Sequence, residues 1–478
     1  MTALPTDVAP PRKAYPQAVS GRFRRLKTLL SALALALFHL GPWLRWDRGP
    51  GLPGQAVLLD VGAGRGWLFG AVLWPDEVYY LVGLLVAWAV ALFGASALWG
   101  RVWCGFACPQ TIWTELFVRV EAALEGDRNA RLRLDRAPWS AAKLARKSAK
   151  HLAWLGLSAL AGFAWTSWFV DAPAALWSFA TLDAGPWMWA SLLTVAATVY
   201  LLAGIVRETF CVHMCPWPRI QAAMGDEGTR SFTYLAARGE PRGKARAGGP
   251  AGDCVDCQLC VRVCPTGTDI RQGPSASCIN CGLCADACDP VMRKLGRQPG
   301  LIAFAAAAEA EAWGRPLPAT LPATLSIAPA RAPARRPRAK AAATLLALAA
   351  VAGAMGTALA TRPGLTLAVE QERAPGAVRL SDGSVQNGYR VHLSNRTLAP
   401  ATATLTLDTP GAPVLRDALT GAEGRTLTLR VGPNEVLALR VFAVTRGGGP
   451  RGNHPARFVL GDGDGGPAGE AATVFSTP

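Results

Sequence analysis

Five stretches of about 20 mainly apolar residues constrain this chain more than any other feature, because a helix of that length crosses the roughly 30 Å hydrocarbon core of a bilayer. They lie at 28–46, 78–99, 152–170, 186–206 and 341–360. The first follows 27 largely polar residues and its alanines have no cleavage context after them, so it reads as an anchor and not as a removed signal peptide. Trp99, Trp103, Trp168 and Trp187 stand at the ends of the others, where an amphipathic ring suits the interface. Buried helices of a large soluble protein would be the plainer reading, but five such segments with charged flanks argue for a multi-pass α-helical membrane protein with five spans.

The formal charge of +16 on 478 residues first suggests nucleic acid as a partner. A mean hydropathy of +0.21 and only 17% charged residues argue against it. Its distribution gives a different meaning. Residues 1–27 hold six Lys/Arg against one acid, 100–150 ten against five, and 207–340 eighteen against eleven. The short connections 45–77 and 171–185 hold three Lys/Arg and six acids. Lys and Arg accumulate on the cytoplasmic side, so the N-terminal tail (1–27), the 100–150 loop and the 207–340 region are expected inside a bacterial inner membrane. The region after the fifth span is expected in the periplasm.

That region, 363–478, alternates with period two. Leu405 and Leu407 alternate with Thr404 and Thr406, and Leu427, Leu429 and Val431 with Thr428 and Arg430. Such runs between Gly, Pro and Asn predict about seven strands of an all-β immunoglobulin-like sandwich, which lacks cysteine and is read as a docking domain. Residues 303–340, rich in Ala, Pro and Arg, read as a linker ending in a basic stop beside the span at 341–360.

All twelve cysteines fall into two kinds of motif, both on the side expected to be cytoplasmic, where thiols stay reduced. The first is Cys254-x2-Cys257-x2-Cys260-x3-Cys264-Pro265, repeated as Cys278-x2-Cys281-x2-Cys284-x3-Cys288. Three closely spaced thiolates wrap one iron–sulfur cube while the fourth crosses to its neighbour. The rule assigns Cys254, Cys257, Cys260 and Cys288 to one [4Fe–4S] cluster, and Cys278, Cys281, Cys284 and Cys264 to the other, within a ferredoxin domain at 216–302. Paired four-cysteine zinc sites are the alternative, and they seldom show two complete runs in tandem. Asp289, in place of proline, follows the last cysteine.

The second motif is Cys104-x3-Cys108-Pro109, repeated 107 residues later as Cys211-x3-Cys215-Pro216 within a four-span membrane domain, 28–215. Each pair follows a span running from outside to inside. Four-residue spacing puts both cysteines on one helix face, and proline suits the first turn of the next helix. A parallel repeat would gather four sulfurs at one membrane face. Soft thiolates suit copper(I), zinc or iron–sulfur iron, and His213 and Met214 add an imidazole and a thioether, although packing and helix capping would equally explain those two.

Other features carry less. Gly62-Ala63-Gly64-Arg65-Gly66 lacks the third glycine of a dinucleotide fingerprint, Trp67 standing next, and reads as a flexible loop. His39 reads as a packed residue, His151 as interfacial, and His392 and His454 belong to the β domain. Residues 110–125 read as an interfacial helix. With no complete nucleotide motif, electrons are expected from a separate cytoplasmic donor.

Arg101-Val102-Trp103-Cys104-Gly105-Phe106-Ala107-Cys108-Pro109-Gln110-Thr111, Cys211-Val212-His213-Met214-Cys215-Pro216-Trp217-Pro218-Arg219 and the two cluster runs resemble the cytochrome c oxidase accessory proteins called CcoG, FixG or RdxA. The resemblance runs from about residue 20 to the end and includes Asn387-Gly388-Tyr389 with Asn395-Arg396-Thr397. It implies an inner-membrane polyferredoxin with an immunoglobulin-like periplasmic tail, associated with assembly of the cbb-type oxidase and with reduction of copper(II) to copper(I). By that resemblance Cys104, Cys108, Cys211 and Cys215 bind or reduce copper. Copper chaperones and oxidase assembly factors are the partners implied besides membrane lipid, and a homodimer is left open. Two other readings stand beside it: a quinol-linked polyferredoxin, and a non-enzymatic assembly scaffold with redox-sensing clusters.

Overall fold

Helix Arg22–Leu40 starts six residues before the expected apolar run and ends in a 3-10 turn, Gly41–Trp43. The early start has an external cause. Gly21 offers no capping side chain, and the Asp286 carboxylate accepts hydrogen bonds from the N–H groups of Phe23 (3.3 Å) and Arg24 (2.7 Å), satisfying donors that a helix start leaves free. The computed structural model that shows this describes residues 13–226, 228–243, 252–273, 275–306, 310, 335–372, 376–445, 452–462 and 466–478.

Among the described residues four helical stretches are long and apolar enough to cross a membrane: Arg22–Trp43, Pro75–Trp99, Pro186–Val206 and Arg338–Ala360. Leucines such as Leu33, Leu37, Leu84, Leu85, Leu201 and Leu346 lie exposed on them, as lipid-facing side chains would. The span expected at 152–170 is instead the second half of a longer helix, Ala141–Thr166, whose first half carries Lys143, Lys147 and Lys150. Its start is set by Ser140, whose hydroxyl accepts from the Lys143 N–H at 3.2 Å. Gly162 brings this helix against the Leu192 carbonyl, where any Cβ would collide.

The expected interfacial helix is Pro109–Glu125, with proline at its first position. It carries two acids that the fold buries completely or nearly so. Glu121 pairs with Arg207 (2.6 Å), Lys13 (3.1 Å) and Arg131 (3.6 Å), and Glu125 with Lys150 (2.9 Å) and Lys147 (3.0 Å). Burial pushes the Glu121 carboxyl up, but the Arg207 and Lys13 charges outweigh it and hold the group at about 2.

The strands Ser231–Tyr234 and Ile302–Ala305 pair antiparallel, with Phe232 opposite Phe304, and close the cysteine-rich region over Ile270, Ala285, Met292 and Leu301. The stretch expected as a linker at 303–340 is therefore strand at its start and, from Arg335, helix at its end (Arg335–Ala360). Its middle, 307–309 and 311–334, lies outside the described residues. The residues around Gly62 form a turn between the strands Val57–Asp60 and Arg65–Leu68.

Contacts divide the chain into two compact units, and the second is mainly residues 355–478. Among the described residues, 355–478 contains ten strands instead of about seven. A six-stranded sheet and a four-stranded sheet enclose Val391, Leu393, Leu405, Leu415, Val441, Phe458 and Leu460. Asn387 exchanges two hydrogen bonds with Ser476 (2.9 and 3.0 Å), and the Tyr389 hydroxyl donates to the Val474 carbonyl at 2.8 Å. These side chains join the two sheets. The Asn395 amide donates to the Ala399 and Gly432 carbonyls, both at 2.8 Å, and fixes the turn at 395–399.

Candidate metal centres

The two C-x2-C-x2-C runs adopt one backbone shape. In the first, Asp256 (φ +54°) and Gln258 (φ +57°) are left-handed, and in the second the equivalent residues, Asn280 (φ +59°) and Gly282 (φ +76°), are too. Two left-handed residues flanking the middle cysteine curl each loop around its own interior, a conformation that Asn, Asp and Gly tolerate best. A side chain at Gly282 would also collide with Phe23 and Phe232.

The fourth cysteine of each run lines the cavity of the other run. One cavity is lined by Cys254, Cys257, Cys260 and Cys288, and a second by Cys264, Cys278, Cys281 and Cys284, with Cys260 bordering both. The Cys288 thiol interacts with those of Cys260, Cys257 and Cys254, and the Cys284 thiol most strongly with Cys281, Cys278 and Cys264. All twelve cysteines are free of disulfides. Burial pushes Cys278 and Cys288 up to about 12 and Cys260 to about 11, so each is a protonated thiol until a metal displaces the proton. Two adjoining cavities, each lined by the four thiols of one quartet, have the donor set that one [4Fe–4S] cube each requires. The quartets differ in access: Cys257 is exposed, while Cys281 is buried.

The C-x3-C-P pairs also share one geometry, though not that of a single continuous helix. Cys104 lies in the short helix Val102–Phe106 and Cys211 in the π-helical turn Phe210–Met214. Cys108 (ψ 125°) and Cys215 (ψ 124°) are both extended, because a residue before proline is driven out of the helical region. The four thiols are electrostatic neighbours. Burial raises Cys104 to about 11 and Cys211 to about 12, with the other thiols pushing in the same direction and Arg101 opposing them. Among the described residues no three His, Cys, Asp or Glu side chains converge as the ligands of a single ion would. His213 and Met214 are exposed, Met214 at 57%, outside the buried surroundings of Cys104.

Several residues that bind these groups together carry no signal in the spacing. Cys104 shares an apolar cluster with Ile279, Cys281 and Leu283 of the second cubane loop. The contact depends on Gly105, where a methyl group would stand 2.8 Å from the Ile279 carbonyl oxygen and 3.0 Å from the Cys281 Cα. Asn280, 3% exposed, donates to the Trp99 carbonyl (3.0 Å) and accepts from the Phe232 N–H (2.8 Å), joining the loop to the end of the second span. The Cys104 thiol donates to Gln221 at 3.4 Å, and the Gln221 amide donates to Ser96 at 3.1 Å.

Comparison with known proteins identifies iron–sulfur regions in the same parts of the chain. Residues 206–307 match the family model of a 4Fe-4S dicluster domain, 81–125 that of a 4Fe-4S binding domain, and 355–478 that of the IG-like fold at the C-terminal of FixG, putative oxidoreductase. The chain is 41% identical over 459 residues to Protein RdxA of Cereibacter sphaeroides, covering 95% of this chain and 93% of that protein. It is 42% identical over 451 residues to Nitrogen fixation protein FixG of Rhizobium meliloti, covering 90% and 86%, and 40% identical over 446 residues to Protein RdxB of Cereibacter sphaeroides, covering 91% and 89%.

Proposed function

This chain is an iron–sulfur electron-transfer protein of the FixG/RdxA family, and from that premise we propose that it reduces copper(II) to copper(I) at Cys104, Cys108, Cys211 and Cys215 during maturation of a cbb-type oxidase. The observation that carries the reading is the packing of Cys104 and Gly105 against Cys281. It sets Cys104 beside Cys281 of one quartet, and in this reading the exposed Cys257 of the other quartet receives electrons from a donor.

Bound in their quartets, the cubes supply single-electron transfer. Copper is the substrate: each copper(II) takes one electron, from a reduced low-potential carrier in the cytoplasm, and becomes copper(I). Soft thiolate ligation favours the reduced ion. Gln221 orients Cys104, and Arg101 supplies positive charge beside the thiols. The exposed His213 and Met214 offer an imidazole and a thioether to an arriving ion. The Lys/Arg distribution supports an orientation with these groups inside; with Ala141–Thr166 as a fifth crossing the β unit is periplasmic, where it docks on oxidase or copper-carrier partners.

The test is copper(I) formation by anaerobically purified, reduced full chain. The double variant Cys211→Ala/Cys215→Ala is expected to abolish it while about eight irons per chain remain. An unchanged rate overturns the assignment. A second reading is favoured by the 4Fe-4S binding model over 81–125, whose only cysteines are Cys104 and Cys108: the C-x3-C-P quartet takes a third cube. It requires about twelve irons per chain, falling to about eight in the same double variant.

A further inference from the structure

A cavity of about 470 Å³ is lined by Cys211 together with Ile279 and Leu283 of the buried cubane loop. Its lining carries six basic side chains, Arg24, Lys27, Arg119, Arg128, Arg131 and Arg207. Only Glu115, Asp127 and Glu208 oppose them there, and with Glu121 behind the wall the count is six to four. Arg24, Lys27 and Arg119 converge on Glu115 at 2.6, 2.9 and 2.9 Å, whereas the other three are incompletely used. Arg207 and Arg131, 3% and 2% exposed, each place one edge toward Glu121. Among the described residues, Arg207 Nε and Nη1, Arg131 Nε and Arg128 Nε are buried and have no hydrogen-bond partner. A buried N–H without an acceptor is destabilising, and more so when it is charged. Arg207 moreover holds a left-handed backbone (φ +50°), four residues before Cys211. The segment 13–19 walls the cavity on one side, tied down by Lys13 to Glu121 and by the Arg131 guanidinium to the Pro16 carbonyl at 2.7 Å.

A hydrated copper(II) cation entering such a chamber meets excess positive charge and donors it cannot use. An anionic complex, with copper held by carboxylate oxygens, supplies the missing acceptors and is drawn in by the field. We infer that this cavity is the substrate chamber, and that the copper(II) reduced here arrives as an anionic carboxylate chelate and not as the free cation. The inference rests on the copper reading above. The electron passes from a reduced cluster to copper(II) within the chelate, copper(I) transfers to the cysteine sulfurs as thiolates, and the protons they release go to the departing carboxylate ligand, which leaves otherwise intact.

Full-length protein with its clusters, reduced with dithionite freed of excess, is mixed anaerobically with copper(II) as the anionic citrate, the neutral bis-glycinate or the cationic ethylenediamine complex. Cluster reoxidation is followed by absorbance. At low ionic strength citrate is expected to react about tenfold faster than the cationic complex, an advantage that salt erodes. Arg128→Gln, chosen because Arg207 is tied to Glu121, should lower the citrate rate about threefold more than the bis-glycinate rate, with Arg128→Lys restoring most of it. Equal rates for the three complexes, or faster reaction of the cationic one, overturn the inference. If none is reduced the copper reading fails, and equilibrium dialysis then decides the chamber separately: selective retention of copper citrate upholds it, and equal retention of both charged complexes refutes it.

Discussion

The tandem C-x2-C-x2-C runs and the C-x3-C-P pairs use the same thiols in opposite ways. Each cubane loop supplies three of its ligands within seven residues and owes its shape to two left-handed residues. The C-x3-C-P quartet is built from two places 107 residues apart, and neither half encloses anything alone. A locally closed site depends on backbone conformation, whereas an assembled one depends on how helix ends pack. The two should fail differently.

The largest difference is expected from the cysteines themselves. Cys281→Ser should cost about four irons per chain and reduce copper(I) formation by about a hundredfold or more, read by iron analysis and a copper(I) chelator. Cys104→Ala should lose the same activity with about eight irons retained; loss of those irons would show that the two systems are not separable. Gly105→Val tests their contact. It should keep both iron and thiols yet slow cluster reoxidation by copper about tenfold, because the Ile279–Cys281 backbone must withdraw.

Smaller effects belong to the framework. Glu121→Gln leaves Arg207, Arg131 and Lys13 without their shared acid and should cost about 3–5 kcal/mol, seen as a lowered Tm in detergent. The sign with pH follows from the same group. Its folded pKa lies below the ordinary value of about 4.3, so its contribution is complete above that value and is lost as pH falls toward 2. Asn387→Ala, in the β unit, should cost about 1–3 kcal/mol there, leaving iron content and cluster reoxidation unaltered.

The sequence alone determined the chemistry that is written locally. Ligand spacing grouped the cysteines as the two cavities do, period-two alternation indicated the sandwich, and apolar length indicated the helices at 78–99 and 186–206. Proline after each C-x3-C pair foretold the following helix start, though not the extended Cys108 and Cys215. Tertiary structure decided what depends on partners distant in the chain. Asp286 moved the first helix start to Arg22, and the acids of Pro109–Glu125 drew the basic half of Ala141–Thr166 into a longer helix than hydropathy indicates. It also decided which cubane quartet adjoins the C-x3-C-P thiols, through Gly105 and Asn280, and where six basic side chains converge beside Cys211. Backbone propensity and side-chain periodicity act over a few residues and can be read in order, whereas close approach and buried charge pairing arise only when separate segments share one volume.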